Sequence, residues 1–233
     1  MSSQSSPPQT AATPSTTPST NTPGPPDTAG PEASAGAPDP RPFFARALDQ
    51  SGRLVSAVTA ADLDRPTPCT EYTVRQLLGH LVAVERRVAH ISRGGQPFDV
   101  TSLVTDVPDD AWKQAWTTAR EELDAALSED DVLDRTFAHP AGVFPGRQVI
   151  FAYVSEMTVH GWDLAMATGR RDSLDESLAG ASLGSTTQFL PAEPRGGHIP
   201  FGPVVDVPPD APAYDRLVGW VGRDPSWTAP TLA

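Results

Sequence analysis

Glu156 and His160 stand four residues apart and flank Met157 in the stretch Val149 to Ala165, an apolar run with Tyr153 and Leu164 at helical spacing. On a helix, residues four apart share a face one turn from each other, so a carboxylate and an imidazole are aimed together at a core. Burying an unpaired carboxylate is costly, and its compensation must be a partner charge, a proton or a metal ion. His80 lies in a second apolar stripe, between Leu77 and Val84, and also faces inward. Two imidazoles and a carboxylate converging in a helical core would suit a divalent transition ion, with coordination positions left for water or substrate. The same residues also suit a satisfied core histidine and an ordinary Glu–His pair, and spacing alone leaves both readings open.

Other groups have narrower roles. Asp163, three residues after His160, could orient that ligand or pair elsewhere. His139 precedes a proline in a loop leading to the Glu156 helix and could approach the mouth of a site. Arg147, at the start of that helix, could offer a carboxylate-binding fork or simply be solvated. Cys69, in a connector, reads as an inert buried thiol, and as the single cysteine it excludes an intramolecular disulfide framework. His90 and His198 have no readable context.

The elements that must position these groups are helical. Arg41 to Leu63 carries Phe44, Leu48, Leu54, Val55, Val58 and Leu63 at helical intervals and predicts a first helix. Pro66 and Pro68 then enforce a connector. Thr73 and Gln76 form a capping-box pattern, with Tyr72 and Leu77 placed as a hydrophobic staple, before a stripe from Val74 to Ile91 that stops at Gly94-Gly95. A third helix is predicted from Asp109 to Leu127, with Trp112, Trp116, Ala119, Leu123 and Ala126 inward. Thr136-Phe137 and Val143-Phe144 bracket a Pro-Ala-Gly turn, so an irregular arm or short hairpin is expected there. The fourth helix runs from Gly146 to Thr168, with Gly169 as its terminator. A shorter helix from Leu174 to Phe189 and an amphipathic piece from Tyr214 to Val221 follow. The fold class is an all-α four-helix bundle with a Pro/Gly-rich C-terminal extension, and the long second and third connections suit crossovers.

Of the 233 residues, the first 40 contain 24 Pro, Ser or Thr and no Lys, Arg, Ile, Leu, Val, Phe, Tyr or Trp. Such a segment cannot bury enough apolar area to fold, so residues 1–40 are expected to be a disordered tail, 41–190 the bundle, and 191–233 an extension packed on it. The net charge of −12, without a basic stripe, argues against nucleic acid. No signal-like or membrane-spanning segment is evident, and a cytoplasmic protein is expected.

Thr67-Pro68-Cys69-Thr70-Glu71-Tyr72-Thr73-Val74, His80-Leu81-Val82, Glu156, and Val159-His160-Gly161-Trp162-Asp163-Leu164-Ala165 followed by Ala167-Thr168-Gly169 resemble the DinB-like metal-binding superfamily. More narrowly, they are similar to actinobacterial proteins related to the N-terminal domain of mycothiol-dependent maleylpyruvate isomerase. Phe201-Gly202-Pro203 and Gly222-Arg223-Asp224-Pro225-Ser226-Trp227 resemble the C-terminal signature of one branch. The resemblance spans roughly residues 41–227. It implies a four-helix bundle whose metal ligands are His80, Glu156 and His160, holding one divalent ion, zinc or nickel, with mycothiol as co-substrate. It further implies a transferase or isomerase working with a low-molecular-weight thiol on a small electrophilic substrate, and self-association as a homodimer. A metal-dependent hydrolase and a non-enzymatic, metal-stabilised binding or regulatory module are the alternatives. The sequence departs at Tyr72, where the family commonly carries Trp, and the resemblance does not extend to the isomerase's separate C-terminal domain. No residue is assigned a role in handling the electrophile.

Overall fold

In a computed structural model that describes residues 38–196 and 201–230, the described residues form six α-helices, one hairpin and short 3-10 turns. Residues 1–37 of the expected tail, and His198, lie outside the described residues.

Helix α1 (Arg41–Ala57) begins behind Pro40 and buries Phe44, Ala47, Leu48, Ser51, Leu54 and Val55, one face at intervals of three and four. It ends earlier than the apolar pattern predicts. Val58 is extended, and Thr59 forms a capping box with Asp62 that starts a separate 3-10 turn at Ala60–Asp62. Leu63 is fully buried all the same, so a real core position beyond the helix end extended the pattern.

Helix α2 (Val74–Ser92) starts where its capping box predicts: the Thr73 amide donates to Gln76 Oε1 at 2.9 Å. Gly94, with φ of 91°, turns the chain out of it. Helix α3 (Trp112–Leu127) starts three residues later than expected, because Asp109 reaches back to pair with Arg75 on α2 instead of heading the helix. Strands β1 (Thr136–His139) and β2 (Gly142–Pro145) form the expected hairpin, with Phe137 opposite Phe144. Helix α4 (Gly146–Ala167) closes on Gly169, whose φ of 68° lets Arg170 N–H reach the Ala165 carbonyl at 2.7 Å. Helices α5 (Glu176–Phe189) and α6 (Ala213–Trp220) follow.

Helix α1 packs against α3 and α4, and α2 packs against the same two, which makes the four-helix bundle. Consecutive α1 and α2 therefore sit across the bundle from each other, as do α3 and α4. The crossovers are the connector at 58–73 and the hairpin arm. The long connection between α2 and α3 joins neighbours, against expectation. Its length serves another purpose: it lies along α2, with Val104 N–H donating to the Gly79 carbonyl at 3.2 Å. A side chain at Gly79 would put its Cβ 2.1 Å from the Val104 carbonyl oxygen, so only glycine lets the loop come this close.

Helix α4 is buried almost all round. Val149, Ile150, Tyr153, Met157 and Leu164 join the bundle core, whereas Val159 and Trp162 join Ala179, Leu190, Tyr214, Leu217 and Val218 in a second cluster under α5 and α6. A helix enclosed on both sides needs no single apolar face.

Candidate metal centre

The α2–α4 contact brings His80 of α2 opposite Glu156 and His160 of α4. His80 Nε2 lies 3.2 Å from Glu156 Oε1, and His160 Nε2 lies 3.6 Å from the same oxygen. The two rings meet nearly edge to face, with centroids 4.8 Å apart. One donor atom from each of the three residues falls within 4.8 Å of the other two. The histidine side chains are 10% and 9% exposed and that of Glu156 is 34% exposed, so the cluster opens to solvent on the carboxylate side.

Each ring is oriented through its other nitrogen. His80 Nδ1 donates to the Ser102 carbonyl at 3.0 Å, in the loop that the glycine at 79 admits. His160 Nδ1 donates to Asp163 Oδ2 at 2.9 Å. Asp163 is fully buried and accepts from Arg223 Nε and Nη2 at 3.4 and 3.3 Å. With both Nδ1 atoms committed as donors, a neutral ring presents the lone pair of Nε2, and both lone pairs face one carboxylate oxygen. Three acceptors cannot face one another without a proton or a metal ion among them. The donor set, two imidazoles and a carboxylate with their outer nitrogens already fixed, fits a divalent transition ion.

The electrostatics describe the protonated alternative. Burial disfavours the His160 cation, but hydrogen bonds to Asp163 and Glu156 outweigh it and push the ring up to about 9. Burial likewise raises Glu156, and the hydrogen bonds from His160 and His80 overcome it and hold the carboxyl well below its usual range.

The remaining residues distribute around this centre. Tyr72 packs on His80, with ring centroids 5.1 Å apart. His139, from the end of β1, meets the rings of Tyr153 and Phe144 edge to face, with centroids 5.9 and 6.0 Å away, and feels the Glu156 carboxylate. Cys69 is buried behind the site, and its sulfur forms a second close group with His160 and Asp163. Burial pushes that thiol up to about 11, which keeps it protonated and a poor ligand. Arg147 stands with Asp134 at 3.7 Å, nine residues before Glu156 and roughly 13 Å along the helix from it. His90 pairs with Asp99 at the surface. Arg223 and Ser102 were not legible as site residues. Arg223 lies 63 residues from His160, and Ser102 acts through its backbone, which a side-chain pattern cannot disclose.

No helix among the described residues is long and apolar enough to cross a membrane. The solved structures of mycothiol-dependent maleylpyruvate isomerase and of a histidine-to-alanine variant of it superpose with TM-scores of 0.52 at 13% and 12% identity, covering 65% of this chain and 68% of theirs. Likeness at that identity shows a shared fold. Two uncharacterised proteins of Mycobacterium tuberculosis, from strains H37Rv and CDC 1551, are each 31% identical over 185 residues, 79% of this chain and 98% of their own length. Residues 44–165, which carry His80, Glu156 and His160, match the mycothiol maleylpyruvate isomerase N-terminal domain, and the chain belongs to that family.

Proposed function

We propose that the protein binds one divalent transition ion, zinc or nickel, through His80, Glu156 and His160, and works with a low-molecular-weight thiol of the mycothiol type as an isomerase or transferase on a small electrophile. The observation that carries this reading is the pair of imidazoles whose Nδ1 atoms are both committed and whose Nε2 atoms both face Glu156 Oε1. Family membership, and a fold shared with an enzyme named for its dependence on mycothiol, support the thiol as co-substrate. A divalent cation in such a donor set favours the thiolate form of a thiol that reaches it.

The chain's own residues supply the rest. Ser102 and Asp163 hold the two rings in the tautomer that keeps Nε2 free, and Arg223 prevents Asp163 from being a lone buried charge. Tyr72 packs on the His80 ring and limits water on that side. The exposed edge of Glu156 leaves the approach through which thiol and electrophile enter.

Elemental analysis of wild type beside His160→Ala, followed by calorimetric titration with mycothiol, tests the proposal. The expected result is about one equivalent of transition metal in wild type and a loss of it in the variant. Thiol binding should require the metal. Wild-type protein that takes up no zinc or nickel would leave an ordinary core ion pair and overturn the reading. Turnover of small esters or amides without any thiol would replace the transferase with a metal-dependent hydrolase. Metal uptake without thiol affinity or turnover would favour a binding module.

A further inference from the structure

The electrophile still has no partner in the protein, and Arg87 is placed to be one. It follows His80 by seven residues, two turns of α2, so it stands on the same face about 10 Å further along. The same strip of loop fixes both side chains: His80 Nδ1 donates to the Ser102 carbonyl at 3.0 Å, and Arg87 Nη2 donates to the adjacent Thr101 carbonyl at 3.3 Å. Arg75, Arg120, Arg171 and Arg223 each meet a carboxylate. Arg87 makes no ion pair among the described residues, and its buried Nε finds no hydrogen-bond partner there.

Tyr72, His139 and Tyr153 each lie within electrostatic reach of both the Arg87 guanidinium and the Glu156 carboxylate. The contacts agree: Tyr72 packs on His80, His139 packs on Tyr153, and Tyr153 precedes Glu156 by three residues on α4. Two of these groups are donors. The Ala141 amide donates to His139 Nδ1 at 3.2 Å, so the proton of the neutral ring sits on Nε2. Burial keeps the Tyr153 hydroxyl protonated. A guanidinium without an ion-pair partner among the described residues, a phenol and an imidazole N–H thus stand near the triad, on a protein whose net charge of −12 gives no general attraction for anions.

We propose that Arg87, assisted by Tyr153 and His139, binds a carboxylate of the electrophilic substrate and so restricts the reaction to small carboxylic acids. The guanidinium fork matches a carboxylate in a way that no other group in this cluster can. This proposal rests on the triad reading above for the location of the reacting atoms.

The test is calorimetric titration of zinc-loaded protein with maleate, a small dicarboxylate, and with its neutral diamide, in wild type, Arg87→Met, Arg87→Lys and, as a charge control from the same helix, Arg86→Met. Zinc content and mycothiol affinity are measured on the same samples. Wild type should prefer maleate to the diamide. Arg87→Met should bind maleate about 10- to 100-fold more weakly, as expected for loss of a charge-assisted hydrogen bond. Arg87→Lys should fall between, Arg86→Met should match wild type, and zinc content should be equal throughout. Unchanged maleate affinity in Arg87→Met, or a wild type that does not distinguish maleate from the diamide, overturns the proposal. Loss of zinc and thiol binding in wild type overturns the triad reading instead, and the maleate titration of that same protein still reads Arg87 by itself.

Discussion

His160 shows how closely a proton and a metal ion compete for one position. Its ring is pushed up to about 9 because Asp163 holds one nitrogen and Glu156 attracts the other. A metal ion must displace that proton, so apparent affinity should rise with pH, about tenfold per unit, and level off above about pH 9. Competition with a chromophoric chelator between pH 6 and 9.5 measures this, and a flat profile would show that His160 carries no proton to displace. The metal-free protein should behave in the opposite sense. A histidine raised above its unfolded value of 6.5 contributes stability fully below that pH and loses it as pH rises towards 9. Chelator-treated protein should therefore melt at progressively lower temperature across that window, and metal-loaded protein should not.

At the scale of the element, α2 carries two features that decide how rigidly the site is held. Gly79 admits the 101–104 loop, and through Ser102 that loop orients His80. Gly79→Ala would force the Val104 carbonyl away, costing on the order of 1–3 kcal/mol as overpacking does, and should weaken metal binding along with stability. Metal affinity unchanged in a folded Gly79→Ala protein would show that the loop does not position His80. Glu85, on the side of α2 towards α3, is fully buried, with both carboxylate oxygens lacking a partner among the described residues. Burial pushes its carboxyl up to about 9, and nearby Arg120 opposes this only in part. An acid raised this far holds its proton in the folded state and gives it up in the unfolded one, so its burial costs stability increasingly as pH climbs from 4.5 to about 9. Glu85→Met should stabilise the protein by roughly 1–3 kcal/mol at pH 8, with little effect at pH 4, as paired thermal melts would show. Equal melting of both proteins at pH 8 would mean that the carboxylate is solvated after all. The helices themselves were legible because their apolar intervals, the Thr73–Gln76 box and Gly169 each act within a few residues. The early end of α1 and late start of α3 were not, since an Asp62 cap and the Arg75–Asp109 pair overrode the pattern. The grouping of His80, Glu156 and His160 was legible from facing, but their adjacency depends on α2 meeting α4, which periodicity does not encode.

At the scale of the molecule, the described C-terminal segment returns to α4 through Arg223. Helix α6 packs on α4 and α5 in the second apolar cluster, and the turn after it, opened by Gly222 with a φ of 84°, sends Arg223 down to Asp163. Gly222 also packs against Gly202, where a Cβ would come within 2.8 Å of backbone, so two distant C-terminal segments must be in place together for Arg223 to arrive. The end of the chain is thereby wired to a ligand of the proposed centre through the sequence Arg223, Asp163, His160. Arg223→Ala leaves a fully buried carboxylate with His160 as its remaining ionic partner, and breaking such a pair costs about 3–5 kcal/mol. Asp163 would then draw the His160 proton more strongly, and metal affinity should fall on the order of 10- to 100-fold, as it does when an outer partner of a ligand is removed. Double replacement with Asp163→Asn removes the stranded charge, so Arg223→Ala should cost less stability in that background than in wild type. Thermal melts of the four proteins and zinc competition on each would measure both effects. If the two substitutions simply add, the C-terminal return serves packing alone and has no hold on the centre.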